Sequence, residues 1–426
     1  MVDLRVTSVI ILLIVLYFSA TFGKEIARYD NYRIYQVLAE TKLHFRVLKE
    51  LGDSSDSFIF LDSGHKIGDN FSIVVAPHKL ADFIETLEHY NISHRLVQHN
   101  VQQLIDEERN RIETKRASGA FGWSDYHTLD EINAWLDKLA LEYDQVEVVE
   151  GGRSYEKRTI KGVKVSYKDG NPGIFLEGGM HAREWIAPAT VTYILNQLLT
   201  SNDTNVRKIA ENYDWYVFPS VNPDGYVYSH KVNRFWRKTR TRYFGGCYGA
   251  DPNRNWDFHW REKGTDNRCY SDTYGGPKAF SELETKTLSE YIRSLEGKIQ
   301  TYIAFHSYSQ LLLFPYGHTS AHTENHDDLN YIANATVTAL AQRYGTEYTY
   351  GNVYEAIYPA SGSSFDWVYG TLGVKIAYTY ELRPSSDSWN GFVLPPSEIV
   401  PTGEETLDSL VTLVGESAKK GYYDIN

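Results

Sequence analysis

Three residues of this chain have the types and spacing to bind one zinc ion. His181 and Glu184 lie three residues apart in the run His-Ala-Arg-Glu-Trp, and His306 lies far downstream. Two imidazole nitrogens and one carboxylate oxygen leave the fourth position of a tetrahedral zinc site open, as in catalytic rather than structural sites. An open zinc polarises a carbonyl and lowers the pKa of bound water to about 7. The pattern therefore favours a metal-dependent hydrolase, although His181 and Glu184 alone are a weak motif.

The elements that must position these residues are strands of a predicted sheet. His181, His306 and Glu381 each follow a short apolar run that we interpret as a strand. Ligands of open α/β sheets bind outside the carboxyl ends of the strands, and a carboxylate placed there can act as a general base towards water. A single histidine after a strand is more often structural, so the argument depends on all three residues converging.

The larger part of the chain alternates between strand-like and helix-like segments, which predicts an α/β fold with helices on both faces of the sheet. The predicted strands are 146–149, 161–167, 173–177, 215–218, 301–305 and 374–380, and the helical stretches include 128–143, 187–199 and 281–295.

A smaller domain is predicted for residues 24–116. Its elements follow the order β-α-β-β-α-β, which is the split ferredoxin-like α+β unit. The predicted strands are 32–37, 57–61, 71–75 and 94–97, and the predicted helices are 41–51 and a second one that starts at Pro77.

A highly charged segment over 100–116 ends this domain. We interpret it as a helix with a solvated charged face. It leads into the small residues 117–119, and exposed tips of this composition are favoured sites of proteolysis. The alternative is an ordinary linker. The candidate sites for a trypsin-like protease are Arg109, Arg111, Lys115 and Arg116.

Composition limits the partners and the compartment. The 426 residues exceed one average domain, and the net charge of −12 argues against nucleic acid as a partner. Arg5 precedes an apolar run over 9–18, which is shorter than the roughly 20 residues that span a bilayer. Residues 1–23 therefore fit a secretory signal peptide. No later stretch is apolar enough for a membrane helix, so we expect a secreted, extracellular protein without a membrane segment.

Two kinds of modification follow from secretion. Cys247 and Cys269 form an even pair, which predicts a disulfide in an oxidising compartment, with two free thiols as the alternative. Asparagine sequons, each able to carry a glycan but common by chance, are Asn70, Asn91, Asn202 and Asn334.

A cationic cluster stands out in this acidic chain. Residues 233–240 carry four Arg or Lys side chains, and residues 251–256 add Arg254. Most of these charges are explained by an ordinary charged surface. An arginine in a cleft, however, suits a planar carboxylate through paired hydrogen bonds, as a substrate with a free carboxylate next to the cleaved bond would require.

Six segments resemble, in order, the A/B-type zinc metallocarboxypeptidases, in the digestive procarboxypeptidase A branch that is made as a zymogen. They are HAREW, NRFWRKTR, NRNWD, HSYSQLLLFPYG, YPASGSS and YELR. The resemblance covers nearly the whole chain after the signal peptide. It implies a mixed sheet flanked by helices in a catalytic domain over 117–426, preceded by an inhibitory ferredoxin-like propeptide that a trypsin-like cut removes.

The resemblance also implies roles for the centre of the site. One Zn²⁺ is held by His181, Glu184 and His306. Glu381 is the general base towards the attacking water and later the proton donor. Arg237 stabilises the oxyanion, where developing charge makes a fixed cation most effective. Asp251 orients His181 from behind, and Cys247 and Cys269 fall where the family has a disulfide.

The substrate contacts follow in the same way. By resemblance, Asn253, Arg254 and Tyr358 hold the terminal carboxylate. Arg183 and Arg234 line the outer groove. The side-chain pocket has Phe365 at its base and Gly317 leaving room on another wall. An apolar base cannot pair a buried ammonium group, so we predict a preference for aliphatic or aromatic C-terminal residues, with the bulk of Phe365 disfavouring the largest, such as Trp.

Two alternatives to a digestive exopeptidase remain at this point. One is a processing carboxypeptidase that acts on hormones or clotting factors. The other is an inactive binding homologue, which would have lost a ligand, the base or the oxyanion arginine. We expect peptide and protein C-termini as substrates, and a monomer.

Overall fold

A computed structural model describes residues 26–61, 67–116 and 121–423. The predicted signal peptide, 1–23, lies outside these residues, as does the small-residue loop 117–119 of the predicted cleavage region. Within the described ranges, no helix combines the length and the apolar character needed to cross a membrane.

The N-terminal domain has the predicted β-α-β-β-α-β order. Its sheet has the strand order β2-β3-β1-β4 with every pair antiparallel. Apolar side chains of its strands and helices, such as Val37, Leu48 and Phe83, form a separate small core. The elements are β1 Arg33–Leu38, α1 Lys42–Ser54, β2 Phe58–Phe60, β3 Asn70–Val75, α2 Leu80–His89 and β4 His94–Gln98.

A connecting helix, α3 Val101–Arg116, follows this domain. The interpretation of its charged face as solvated is wrong for Glu108, which is 1% exposed. Its carboxylate pairs with Arg234 of the large domain. A run of charged residues predicts a polar helix. It does not predict whether another domain supplies a residue of opposite charge.

The large domain is built on one eight-stranded mixed sheet with the order β11-β10-β12-β9-β7-β8-β6-β5. Its central strands β8, β7, β9 and β12 are parallel neighbours. The pairs β5–β6, β6–β8 and β10–β12 are antiparallel, and β10–β11 is parallel. Every residue of β7 is buried, as in strands whose two faces are both covered.

The bounds of these elements complete the fold. The strands are β5 Val146–Arg153, β6 Thr159–Val165, β7 Gly173–Gly178, β8 Asp214–Phe218, β9 Ile299–Ser309, β10 Leu311–Phe314, β11 Thr349–Asn352 and β12 Ile376–Ser385. The helices are α4 Leu129–Glu142, α5 Ile186–Thr200, α6 Thr204–Asn212, α7 Pro223–Lys231, α8 Leu283–Ser294, α9 His326–Tyr344, α10 Val353–Ala356, α11 Ser364–Leu372 and α12 Ile399–Lys419.

Two strands run further than predicted. We expected His306 and Glu381 just after their strands, but both lie inside β9 and β12, where they are direct partners in the parallel ladder. The ladder continues past them, with Leu382 opposite Ser307 and Ser385 opposite Ser309. His306 and Glu381 correctly predicted where each strand reaches the site, but the backbone pairing of both strands extends beyond them.

Candidate active site

The three predicted metal ligands meet at one buried point. His181 and Glu184 lie in the turn between β7 and α5, and His306 lies on β9. The Nδ1 atom of His181 is 2.8 Å from Oε1 of Glu184 and 3.1 Å from Nδ1 of His306. Oε2 of Glu184 is 3.2 Å from the same His306 nitrogen. All three side chains are at most 4% exposed.

The turn after β7 explains how His181 reaches this point. Gly179 has a φ of 66°, which a side chain would make unfavourable. A Cβ atom at Gly179 would also lie 3.1 Å from the backbone of residues 219–220. Glycine therefore allows the chain to leave the sheet sharply and close against the neighbouring loop.

This donor set fits one zinc ion. Tetrahedral zinc with bonds of about 2.0–2.2 Å keeps its ligand atoms about 3.3–3.6 Å apart, so the observed spacings need only a few tenths of an ångström of adjustment. The ligand atoms of His181, Glu184 and His306 all lie within 4.8 Å of one another. Two imidazoles and one carboxylate are donors that zinc prefers.

The cluster sets the charge of its members. Burial would raise the pKa of the Glu184 carboxyl, but the imidazoles of His181 and His306 outweigh it and lower that pKa. Burial, together with Arg237, lowers the pKa of His181. The site therefore favours a carboxylate at Glu184 and a neutral imidazole at His181, the forms that bind a metal. For His306, burial acts to lower the pKa, but Glu184 outweighs it and raises the pKa.

Asp251 and Arg237 support the cluster from one side. Nε2 of His181 lies 3.1 Å from Oδ1 of Asp251, whose Oδ2 accepts hydrogen bonds from Arg237 at 2.9 and 3.2 Å. Burial would raise the Asp251 pKa, but Arg237 and His181 hold it well below its usual range. Nη1 of Arg237 is 3.8 Å from Oε1 of Glu184, so the guanidinium lies beside the ligands.

A cavity of about 850 Å³ opens over these groups and is lined by residues of both domains. Glu381 reaches it from β12, and Arg237 from the loop after α7. Of the predicted site residues, those that line it are His181, Arg183, Glu184, Arg237, Asn253, Arg254, Tyr358, Phe365 and Glu381.

A single 3₁₀ turn, 252–254, presents the predicted carboxylate-binding residues. Asp251 caps it by accepting a hydrogen bond from the Asn253 backbone N–H at 2.8 Å. Arg254 donates to the hydroxyl of Tyr358 at 3.3 Å and to the carbonyl oxygen of Asn253 at 2.9 Å. One short segment, 251–254, therefore carries both Asp251, which contacts His181, and Arg254, which lines the cavity.

Comparisons with known proteins agree with this geometry. The sequence model described as "Zinc carboxypeptidase" matches residues 132–409, and the one described as "Carboxypeptidase activation peptide" matches residues 35–108. The chain belongs to the zinc carboxypeptidase family. It is a hydrolase of C-terminal peptide bonds that uses zinc and carries an activation peptide, as the resemblance predicted.

Individual relatives extend the match to nearly the full length. The chain is 65% identical over 401 residues to zinc carboxypeptidase A 1 of Anopheles gambiae, covering 94% of this chain and 93% of that protein. It is 52% identical to zinc carboxypeptidase A 1 of Drosophila melanogaster, covering 95% and 96%. The A-type assignment is thus confirmed.

Solved structures show the same two-domain fold. Thrombin activatable fibrinolysis inhibitor superposes with a TM-score of 0.85 at 29% identity, covering 92% of this chain and 100% of that one. The carboxypeptidase A of Helicoverpa armigera gives a TM-score of 0.83 at 26% identity, covering 92% and 98%.

Apolar side chains line part of the cavity of this zinc carboxypeptidase. Phe365, at the start of α11, is 3% exposed and lines the cavity. Other apolar residues lining this region are Leu311, Leu313, Val353 and Ile357. Gly317 lies behind the lining residues: its N–H donates to Asp366 at 2.9 Å, and a Cβ there would be 2.7 Å from the carbonyl oxygen of Ala360.

Beside the cavity, the connecting helix α3 contacts the large domain through Glu108 and Arg234. Arg234 does not line the cavity, because its guanidinium donates to Glu108 at 2.6 and 3.2 Å and stacks 3.6 Å above Trp185. Arg183 does line it and donates to Asp272 at 2.9 Å. Sequence reasoning missed Glu108, although an acidic residue in the predicted inhibitory segment was a usable signal for an arginine partner.

The predicted disulfide between Cys247 and Cys269 is confirmed. Lys238, which directly follows Arg237, donates to the backbone carbonyl oxygen of Cys269. The disulfide loop is thereby tied to the segment that carries Arg237.

Proposed function

We propose that this zinc carboxypeptidase is secreted as a monomeric zymogen and, once activated, removes aliphatic and aromatic C-terminal residues from peptides. The observation that carries the proposal is the shared cavity. The metal ligands His181 and Glu184 line this cavity together with Glu381, Arg237, Arg254 and Phe365, which supports the proposal.

Substrate binding follows from the charges and shapes along this cavity. Arg254 binds the terminal carboxylate, with Asn253 and Tyr358 beside it, because a guanidinium matches a carboxylate in charge and geometry. The terminal side chain enters the apolar pocket and contacts Phe365. Phe365 carries no charge, so a terminal Lys or Arg in contact with it would bury an unpaired charge at a large cost.

Catalysis then needs a base, a cation and a metal. His181, Glu184 and His306 hold zinc, which supplies Lewis-acid polarisation of the carbonyl and acidifies water. Glu381 takes the proton from the attacking water and later gives it to the leaving amine. Arg237, held in place by Asp251, donates to the oxyanion as charge develops there.

Maturation requires two cuts in this proposal. The signal peptide over 1–23 is removed on secretion, and a trypsin-like protease cuts between Arg109 and Arg116 to release the propeptide from a catalytic domain over 117–426. The buried contact between Glu108 and Arg234 supports a propeptide that blocks the groove until this cut is made.

Product identification by mass spectrometry tests the proposal. The secreted protein is treated with trypsin and given peptides that differ only in the last residue, with and without a zinc chelator. We expect chelator-sensitive release of single terminal Phe, Tyr or Leu, with Trp released more slowly. Release of Lys or Arg would refute the specificity, and no release from correctly trimmed, zinc-loaded protein would indicate a binding role instead.

A further inference from the structure

The two histidines of the metal centre differ in what lies behind them. Each presents Nδ1 to Glu184. The second nitrogen of His181 has Asp251 as its partner at 3.1 Å. The second nitrogen of His306, Nε2, is buried and has no hydrogen-bond partner among the described residues. An imidazole that binds a metal through one nitrogen carries its proton on the other, and a buried donor left unpaired is destabilising.

Glu177 lies on the strand next to the one that carries His306. It is on β7 with Ala304 of β9 as its ladder partner, so it shares a sheet face with Tyr302 and His306, the residues two positions before and after Ala304. The small Ala304 side chain leaves space between these two larger ones. Glu177 is 1% exposed, an unusual burial for a carboxylate.

One oxygen of Glu177 is already engaged and the other is not. The Tyr302 hydroxyl donates to Oε1 at 2.6 Å, and the Ser364 hydroxyl lies 3.4 Å from the same atom. Oε2 is buried without a hydrogen-bond partner among the described residues. Burial raises the pKa of Glu177 to about 7, and the charge of His306 acts to lower it.

We propose that Glu177 is the acceptor for the Nε2–H of His306 and orients this imidazole towards zinc, as Asp251 does for His181. This inference rests on the proposed ligand set of His181, Glu184 and His306. Glu177 is then a positioning residue that never touches substrate. Tyr302 holds its other oxygen, which makes a chain from Tyr302 through Glu177 to His306. A carboxylate behind a metal-binding histidine fixes the ring and increases its basicity.

Metal affinity of the intact chain tests the proposal directly. Zinc dissociation constants are measured by competition with a chelator for the wild type, Glu177→Leu and Glu177→Gln. The absorption spectrum of the cobalt-substituted protein reports ligand geometry. Losing a partner behind a zinc ligand weakens metal binding by about 10–100-fold, so we expect a loss of this size for Glu177→Leu. Glu177→Gln keeps the shape and an acceptor oxygen, so its loss should be smaller.

Control variants separate this role from folding and from the ligand assignment. Glu284→Gln changes a carboxylate that is also 1% exposed but belongs to α8, and should leave metal affinity unchanged. If the Glu177 variants lower the melting temperature of the metal-free protein but keep wild-type zinc affinity and the wild-type cobalt spectrum, Glu177 is only structural and the inference is overturned.

The Asp251→Asn variant distinguishes failure of this inference from failure of the proposed function. If Asp251→Asn weakens zinc binding and the Glu177 variants do not, the ligand set stands and only the role of Glu177 is refuted. If His306→Ala keeps wild-type zinc affinity, the ligand assignment itself is wrong and the inference is refuted with it. If Glu177→Leu does not fold, Glu177→Gln decides the matter because it preserves volume and shape.

Discussion

The inner and outer ends of the cavity are assembled in different ways. At the inner end, the contacts among His181, Glu184, Asp251 and Arg237 all lie within the large domain. At the outer end, Arg234 is paired with Glu108, which precedes the proposed cut. The catalytic groups are therefore already in place while the activation peptide is attached. The difference supports the proposal that the peptide blocks the approach to the site rather than distorting the site.

The outer contact is suited to being temporary. Arg234 and Glu108 are each about 2% exposed, and removing one partner of such a pair is strongly destabilising, whereas the intact pair adds little net stability. While the peptide is attached, the pair favours one docked arrangement. Loss of the peptide would remove Glu108 but leave the hydrogen bonds of Arg234 to the carbonyl oxygens of Arg183 and Phe392.

The largest expected effect comes from replacing the proposed base, Glu381, which should change catalysis at the inner end without changing the zymogen. We expect Glu381→Gln to lower kcat by about 10²–10⁴-fold after trypsin treatment, because an amide cannot accept the proton of the attacking water. Rates on a peptide ending in Phe measure this effect. Zinc content and the melting temperature of the uncut zymogen should stay at wild-type values, and a change in the zymogen would contradict the separation of the two ends.

Replacing the carboxylate of Glu108 at the outer end should change the zymogen and leave the trypsin-treated enzyme unchanged. Glu108→Gln leaves the buried Arg234 charge without its counter-ion, at a cost of about 3 kcal/mol for docking of the activation peptide. Activity of the uncut zymogen should therefore rise, while the trypsin-treated enzyme behaves like the wild type. The matched control is Glu107→Gln, because Glu107 is its exposed neighbour on α3. Equal leakage from both variants would show that the buried pair does not hold the peptide.

A buried carboxyl outside both ends gives the smallest effect. Burial, with Asp224 and Glu282 nearby, raises the pKa of Glu284 well above its usual 4.5. As pH rises above 4.5, the unfolded chain loses this proton while the folded chain keeps it. The free energy of unfolding then falls by about 1.4 kcal/mol per pH unit until the raised pKa is reached.

The Glu284→Gln variant measures that contribution. Unfolding curves across a series of pH values should show a smaller decline in stability for the variant than for the wild type, with the difference growing from pH 4.5 upward. Activity after trypsin treatment should not change, because Glu284 lies on α8 and outside the residues that line the cavity. A constant difference between the two proteins at all pH values would contradict the assignment.

Local pattern predicted much of the fold. The order of elements in the N-terminal domain was correct because each strand and helix there has its own apolar period and is bounded by turn residues. The strands β10 and β11 were not predicted. Each has four residues, and β10 follows β9 after one intervening residue, so no turn signal separates it in the sequence.

The chemistry of the site could be predicted from the sequence because it depends on residue types. The histidines, Glu184, Glu381 and the paired cysteines carry their chemistry wherever the chain places them, and their motifs occur in family order.

The tertiary structure decided which groups face one another. The neighbours Glu107 and Glu108 differ by only one position, yet one is exposed and the other pairs with Arg234, because burial depends on which surface a second domain covers. In the sequence, Glu177 is likewise only a charged residue at the end of an apolar strand. Only the register of β7 with β9 places it opposite Ala304 and beside His306, since contacts between distant segments follow from packing and not from spacing along the chain.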